Sequence, residues 1–187
     1  MMKQRLIKLI ESVPELMETA SVCNDCSIPN YYIAGGAITQ IIWNDILGKP
    51  LLDKVKDFDI VYFDQNMDLS DADFEQLIIS KLTHGFPVDV KNQAIVHEWY
   101  PEKFGQTIEA YDKVEGGISS WLSAFAIGFR LTLQGDVEIY APYGLDDAFG
   151  MNVRPNKKAM TEASYLKMTS SFKERWGDIT VFPWVTR

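Results

Sequence analysis

Apolar residues in the first two dozen positions recur at helical spacing. Leu6, Leu9, Ile10, Val13, Leu16 and Met17 share one face, the stripe a helix turns to a core. Ser12 and Pro14 mark a restart, since Pro is tolerated in a first turn. One or two helices are therefore predicted up to about Val22, then a loop with Pro29. "YYIAGG" predicts a short strand ending in a glycine turn, and Ile38, Ile41, Ile42 and Leu47 place a helix over Ala37–Leu47, closed by Gly48 and Pro50. "DFDIVYFD" predicts a strand from about Phe58 to Phe63. Ser70 caps a predicted helix to about Thr83 with Phe74, Leu77, Ile78 and Leu82 as its stripe, and "FPVDVKN" predicts a third strand. Helical and irregular pieces follow through Trp121. Alternation at Ile127, Phe129, Leu131 and Leu133, with "QGD" as the turn, predicts a hairpin, and a last helix starts after Thr161. The pattern gives one α+β domain with a mixed sheet flanked by helices: a helical segment over 1–28, a core over 29–156 and a C-terminal helical region over 157–187.

Two aspartates interrupt the second strand. Side chains at i and i+2 of a strand share a face, so Asp57 and Asp59 stand side by side while Phe58 and Ile60 turn away. Like charges so placed repel each other and resist burial unless something positive offsets them. Lys54 and Lys56 offset them in part; Mg²⁺ does so better, because it takes hard oxygen ligands, commonly one or two carboxylates plus substrate phosphates. The structural alternative has Asp57 capping the strand entry and Asp59 exposed on an edge. Gly35 and Gly36 lie between a strand and a helix, where bare backbone and free N–H groups can approach a phosphate. They form neither G-x-G-x-x-G nor a Walker loop. Asp89, inside the third strand, adds a carboxylate able to complete a two-metal site or accept a proton from an attacking hydroxyl.

Composition narrows the partners. The 187 residues are 47% hydrophobic and 12% aromatic, enough for one sizeable core. No stretch approaches the ~20 apolar residues of a membrane span. The N-terminal run meets acidic residues too early for a signal peptide, so a cytoplasmic protein is expected. A formal charge of −8 argues against long nucleic acid, whose binders show basic faces. Cys23 and Cys26 form a lone C-x-x-C, with His84 and His97 too distant for ligand spacing, so reduced structural thiols are expected. His97 is expected to be a hydrogen-bonded structural residue, and Asp146 and Asp147 to cap a short helix. No serine has a base at nucleophile spacing.

The glycine pair at a helix head, D-x-D on a strand and one later strand aspartate together resemble the DNA polymerase beta-like nucleotidyltransferase superfamily. "AGGAITQIIWN", "DFDIVYFD", "DVKNQAIVHEWY" and "APYGLDDAFGMNVRPN", in that order over about Ala34 to Asn156, are similar to a bacterial family of small stand-alone nucleotidyltransferase-like proteins. The resemblance implies a polymerase-beta-like nucleotidyltransferase fold. The activity it implies is Mg²⁺- or Mn²⁺-dependent transfer of a nucleoside monophosphate from an NTP to a hydroxyl, releasing pyrophosphate. It assigns the triphosphate to Gly35 and Gly36 and the metal to Asp57, Asp59 and Asp89, with Lys91, Asn92, Gln93 and Arg154 as further binding residues. Family members often carry Arg where this chain has Ile95, so one cationic contact is missing; Arg130, Arg154, Lys91 and Lys157 are the candidates to replace it. The acceptor is an unidentified small molecule or protein, AMP-ylation being one form, because the chain is too short for the RNA-gripping domains of CCA-adding enzymes. The rival reading is a non-catalytic nucleotide-sensing or interaction module on the same fold.

Overall fold

The structure, a computed structural model, describes residues 1–185. Helices α1 (Met2–Glu11) and α2 (Pro14–Asp25) lead to strand β1 (Tyr32–Ala34), helix α3 (Gly36–Ile46) and strand β2 (Phe58–Tyr62). Helix α4 (Asp71–Lys81), strand β3 (Val88–Asn92) and helices α5 (Val96–Phe104) and α6 (Val114–Ile118) follow. The hairpin β4 (Gly128–Leu131) and β5 (Val137–Tyr140), helix α7 (Asp146–Phe149), strand β6 (Asn152–Val153), helix α8 (Glu162–Arg175) and strand β7 (Thr180–Val181) complete it.

Five strands form one mixed sheet in the order β3-β2-β1-β4-β5, with β2 and β3 parallel and the other neighbours antiparallel. The parallel pair needs a crossover, which α4 supplies. Ser70 opens α4 with a capping box: its hydroxyl accepts from the Asp73 N–H at 3.1 Å while Asp73 accepts from the Ser70 N–H at 3.0 Å. Asp71 then fastens the crossover, accepting from the Tyr62 hydroxyl at 2.8 Å and the Asn92 N–H at 2.9 Å.

Strand alternation divides the molecule. Phe58, Ile60, Tyr62, Val88, Val90 and Phe129 enter the main core with α1 to α4 and α8. The other face carries a small cluster of Tyr32, Ala34, Val61, Val114, Ile118 and Ala126, and beside it the polar positions of β2 and β3. Trp43 is buried edge-on to Phe125, Phe172 and Trp176, and Trp176 donates to Asn44 Oδ1 at 2.8 Å. Asn44 in turn donates to the carbonyls of Leu51 and Asp53, each at 2.8 Å. This clamps the loop that delivers the chain to Asp57.

Several expectations shift by small amounts. Ser12 closes α1 by donating to Leu9 O at 2.7 Å, and Val13 precedes α2, with Pro14 in its first turn as expected. The hairpin alternation ends before Leu133, which sits exposed at the tip where Gly135 turns the chain. Asp146 and Asp147 open α7 without a capping hydrogen bond. The β6–β7 pair, two residues each, is too short to leave a periodic signal.

Candidate active site

The sheet register brings the chemistry into one row. Asp59 in β2 is level with Ala34 of β1 on one side and with Asp89 of β3 on the other. Gly35 follows Ala34 directly, so glycine turn, central carboxylate and outer carboxylate lie across three adjacent strands. Asp57 sits just before β2, exposed, on the same face as Asp59 by the period of two.

Gly35 adopts φ 76°, ψ −132°, a backbone region that L side chains avoid. Its N–H donates to Ile127 O at 2.9 Å, so this amide is already occupied. What Gly35 contributes is space: a Cβ here meets the Trp121 ring at 2.8 Å and Asp59 Oδ2 at 3.4 Å. The donors at this end are the first-turn N–H groups of α3, beginning at Gly36, which have no intrahelical acceptors. Thr39 anchors that turn, donating to Ala124 O at 2.6 Å.

Burial first, then the charges of Asp57 and Asp89, push the Asp59 carboxyl up to about 7, with Lys91 opposing. Burial and Asp89 raise Asp57, while Lys56 and Arg175 pull it back down. Asp89 is held at 2.6 Å by Lys91 Nζ, which also donates to Val90 O at 3.0 Å. Burial disfavours the Lys91 ammonium, but the hydrogen bond and charge of Asp89 win and raise its pKa. The site thus gathers negative charge, and among the described residues Lys91 is the ammonium hydrogen-bonded to it.

That donor set suits a hard divalent cation. Such an ion commonly takes one or two carboxylates alongside phosphates, and it would relieve the repulsion between Asp57 and Asp59. Among the described residues, no three His, Cys, Asp or Glu side chains stand together as a ready-made ligand cluster. Asp57 and Asp59 could hold such an ion, with Asp89 adjoining them.

Two cavities flank Asp59. One, of about 370 Å³, lies between Gly35, Gly36, Leu122, Phe125 and Phe172. The other, of about 220 Å³, reaches past Asp89, Lys91 and Gln93 to Trp99, Tyr111 and Ser164. Asp59, Trp121, Met160 and Met168 border both, so the indole packed on Gly35 stands at their junction.

Not every expected residue converges. Gln93 lines the second cavity, 4% exposed, its carboxamide against Gly117. Asn92, 2% exposed, points to the opposite face: it donates to Asp64 O at 2.7 Å and accepts the Asp64 and Ala94 N–H groups, each at 3.1 Å. Arg154 borders neither cavity; Asp147 holds it at 2.9 Å and it stacks 3.7 Å over Phe182. Asp147 also accepts from Ser123 at 2.5 Å, joining that arginine to the loop beside the larger cavity. Ile95 borders a separate hollow with Tyr62 and Asn92 and neither of the cavities beside Asp59. Arg130 pairs with Glu138 at 2.8 Å and covers Tyr32, and Lys157 donates to Val185 O. His97 Nδ1 is buried without a partner among the described residues, unlike the hydrogen-bonded histidine expected. Cys23 and Cys26 are free thiols, each raised by burial.

Trp121 and Arg175 also border the row, though the apolar pattern alone does not mark them as site residues. Arg175 exchanges hydrogen bonds with Lys54, donating to Lys54 O and accepting from Lys54 Nζ, each at 3.3 Å, and its charge acts on Asp57. Spacing held a signal for it: Ser164, Met168, Phe172 and Arg175 form one stripe of α8, and the first three border the cavities.

A family model described as nucleotidyltransferase matches residues 21–181, and the chain belongs to that family. A solved structure, described as an NMR structure that reveals a CCA-adding enzyme head domain, superposes with a TM-score of 0.77 at 22% identity, covering 97% of this chain and 96% of that one. The architecture is therefore a nucleotidyltransferase fold. No curated protein matches the sequence. Among the described residues no helix is long and apolar enough to cross a membrane.

Proposed function

We propose that this protein transfers a nucleoside monophosphate from an NTP to a hydroxyl acceptor, with Mg²⁺ or Mn²⁺ as cofactor and pyrophosphate as leaving group. The observation that carries the reading is the register that aligns Gly35, Asp59 and Asp89 across three strands. The free N–H groups at the head of α3, from Gly36 onward, orient the β- and γ-phosphates. Asp57 and Asp59 would hold the divalent cation, which would neutralise phosphate charge and make a nearby hydroxyl more acidic. Asp89, kept in place by Lys91 at 2.6 Å, receives the acceptor's proton. The acceptor oxygen bonds to the α-phosphorus as the bridge to the β-phosphate breaks, and the electron pair leaves with pyrophosphate. Positioning and charge stabilisation supply the catalysis, with no covalent enzyme intermediate. The free thiols and the NTP substrate support a cytoplasmic setting, and the −8 charge disfavours long nucleic acid as acceptor.

One observation favours the nucleotide-sensing alternative: Lys91 already neutralises Asp89, which suits binding without turnover. Calorimetric titration of the four NTPs, with and without Mg²⁺, into wild type and Asp59→Asn separates the readings when paired with an assay for pyrophosphate release. Metal-dependent binding lost in the variant, with release in the presence of acceptor, is the expected result. Binding without release in any acceptor screen supports the sensor; no binding of any NTP overturns both.

A further inference from the structure

The smaller cavity has a chemistry that the transfer reaction leaves unexplained. Where a phosphoryl group is transferred in line, the attacking oxygen and the leaving group lie on opposite sides of phosphorus. With the glycine turn on the β1 side taking the triphosphate, the attacking hydroxyl comes from the β3 side. The cavity beside Asp89 and Lys91 opens there.

Its walls are rings. Trp99 and Tyr100 come from α5, Tyr111 and Trp121 from the segments around α6, and Phe104 stands exposed at the end of α5. The two tyrosine hydroxyls of these walls are already engaged. The Tyr100 hydroxyl donates to Ala159 O, and the Tyr111 hydroxyl donates to Ser120 Oγ at 3.0 Å. Ser120 donates to Gly117 O at 2.7 Å, and Gln93 Nε2 to Lys91 O at 3.3 Å. Among the described residues Lys91 is the one cation in the lining, and it is paired with Asp89. A phosphorylated acceptor calls for cations; this cavity offers ring faces and two carboxylates, and the ammonium in its lining is already paired. At about 220 Å³ it is also small beside the roughly 300–1,000 Å³ of pockets for drug-sized ligands.

We propose that this cavity binds the acceptor, and that the acceptor carries its hydroxyl on an uncharged, phenol-like ring. The inference rests on the nucleotidyl-transfer reading for the role of the site and on the ring lining for the chemistry of its occupant. The phenolic oxygen forms the bond to the α-phosphorus, its proton passes to Asp89, and pyrophosphate departs with the electrons of the broken bond. A free phenol and a protein tyrosine share this chemistry.

The test uses saturation-transfer NMR on the full chain with Mg²⁺ and α,β-methylene-ATP. The probes are para-ethylphenol, N-acetyl-L-tyrosinamide, glucose 1-phosphate and a short RNA with a free 3′-hydroxyl. At least one phenol is expected to bind wild type, with affinity lowered about tenfold in Trp99→Ala and in Phe104→Ala and nucleotide affinity unchanged. Both positions are partly exposed, and circular dichroism checks that each variant folds. Binding of the free phenol alone identifies a small molecule; binding of the tyrosinamide alone identifies a protein side chain. Preference for glucose 1-phosphate or RNA, absence of phenol binding, or phenol binding indifferent to both variants overturns the proposal while leaving nucleotide binding standing. Failure of the nucleotide analogue to bind removes the acceptor role together with the transfer reading, whatever the phenols do.

Discussion

Gly35 and Asp59 are the residues where local physics and function meet most closely. At Gly35 the backbone lies at φ 76° and the space a side chain would fill holds the Trp121 ring at 2.8 Å. Strain and overpacking act together, so Gly35→Ala is expected to lower stability by roughly 2–4 kcal/mol in denaturant titrations. Gly36 differs: its Cβ would meet only the movable end of Gln40 at 3.1 Å, so Gly36→Ala is expected to cost much less. Asp59 has the opposite character. Its folded-state pKa, pushed up to about 7, stands above the ordinary carboxylate value. The unfolded chain therefore releases this proton first, and the stability of the metal-free protein falls as pH rises from about 4 to about 7. Asp59→Asn removes that dependence. Urea midpoints at pH 5 and pH 8 without metal are expected to show the variant gaining roughly 1–3 kcal/mol on wild type at the higher pH. A variant less stable than wild type at pH 8 contradicts repulsion within the row and marks Asp59 as structural.

At the scale of elements, β2, β3 and α8 build the cleft. The stripe of Ser164, Met168, Phe172 and Arg175 runs along α8 from the smaller cavity past the larger one toward Asp57. Arg175 ends that stripe as a further cation near the carboxylates, in addition to Lys56 and Lys91. Arg175→Gln is expected to weaken ATP about tenfold and AMP far less, measured by calorimetry with Mg²⁺. Equal losses for the two nucleotides would assign Arg175 to the fold through Lys54 and Trp176 instead. The elements also show which signals sequence carries. The glycine turn, the strand of Asp59, the capping box at Ser70 and the restart at Pro14 were all readable, because each is a local pattern. Asn92 was readable in principle: the period of two that joins Asp89 to Lys91 turns Asn92 with Val90 into the core. Arg154 was not, since its partners Asp147 and Phe182 are set by tertiary packing. Trp121 and the ring wall of α5 stayed hidden for the same reason; aromatic residues in a patternless stretch look alike whether they line a core or a cavity.

For the molecule as a whole, the fold concentrates cost in one place. A large core binds α1 to α4 and α8 to one face of the sheet, and on the other face, beside the small cluster of α6, the row of carboxylates is left with little to balance it. Such a protein gains stability from what it binds. A saturating ligand at about 100 times its Kd adds roughly 2.7 kcal/mol, so MgATP is expected to raise the melting temperature of wild type by several degrees and that of Asp59→Asn hardly at all. The central claim concerns where the metal nucleotide sits. The most direct measurement is paramagnetic broadening of backbone amides by substoichiometric Mn²⁺ in the presence of ATP. Broadening centred on Asp57, Asp59 and Asp89, with Gly36 at its edge, is the predicted result. Broadening scattered over other acidic surface, or centred away from these strands, would contradict the account.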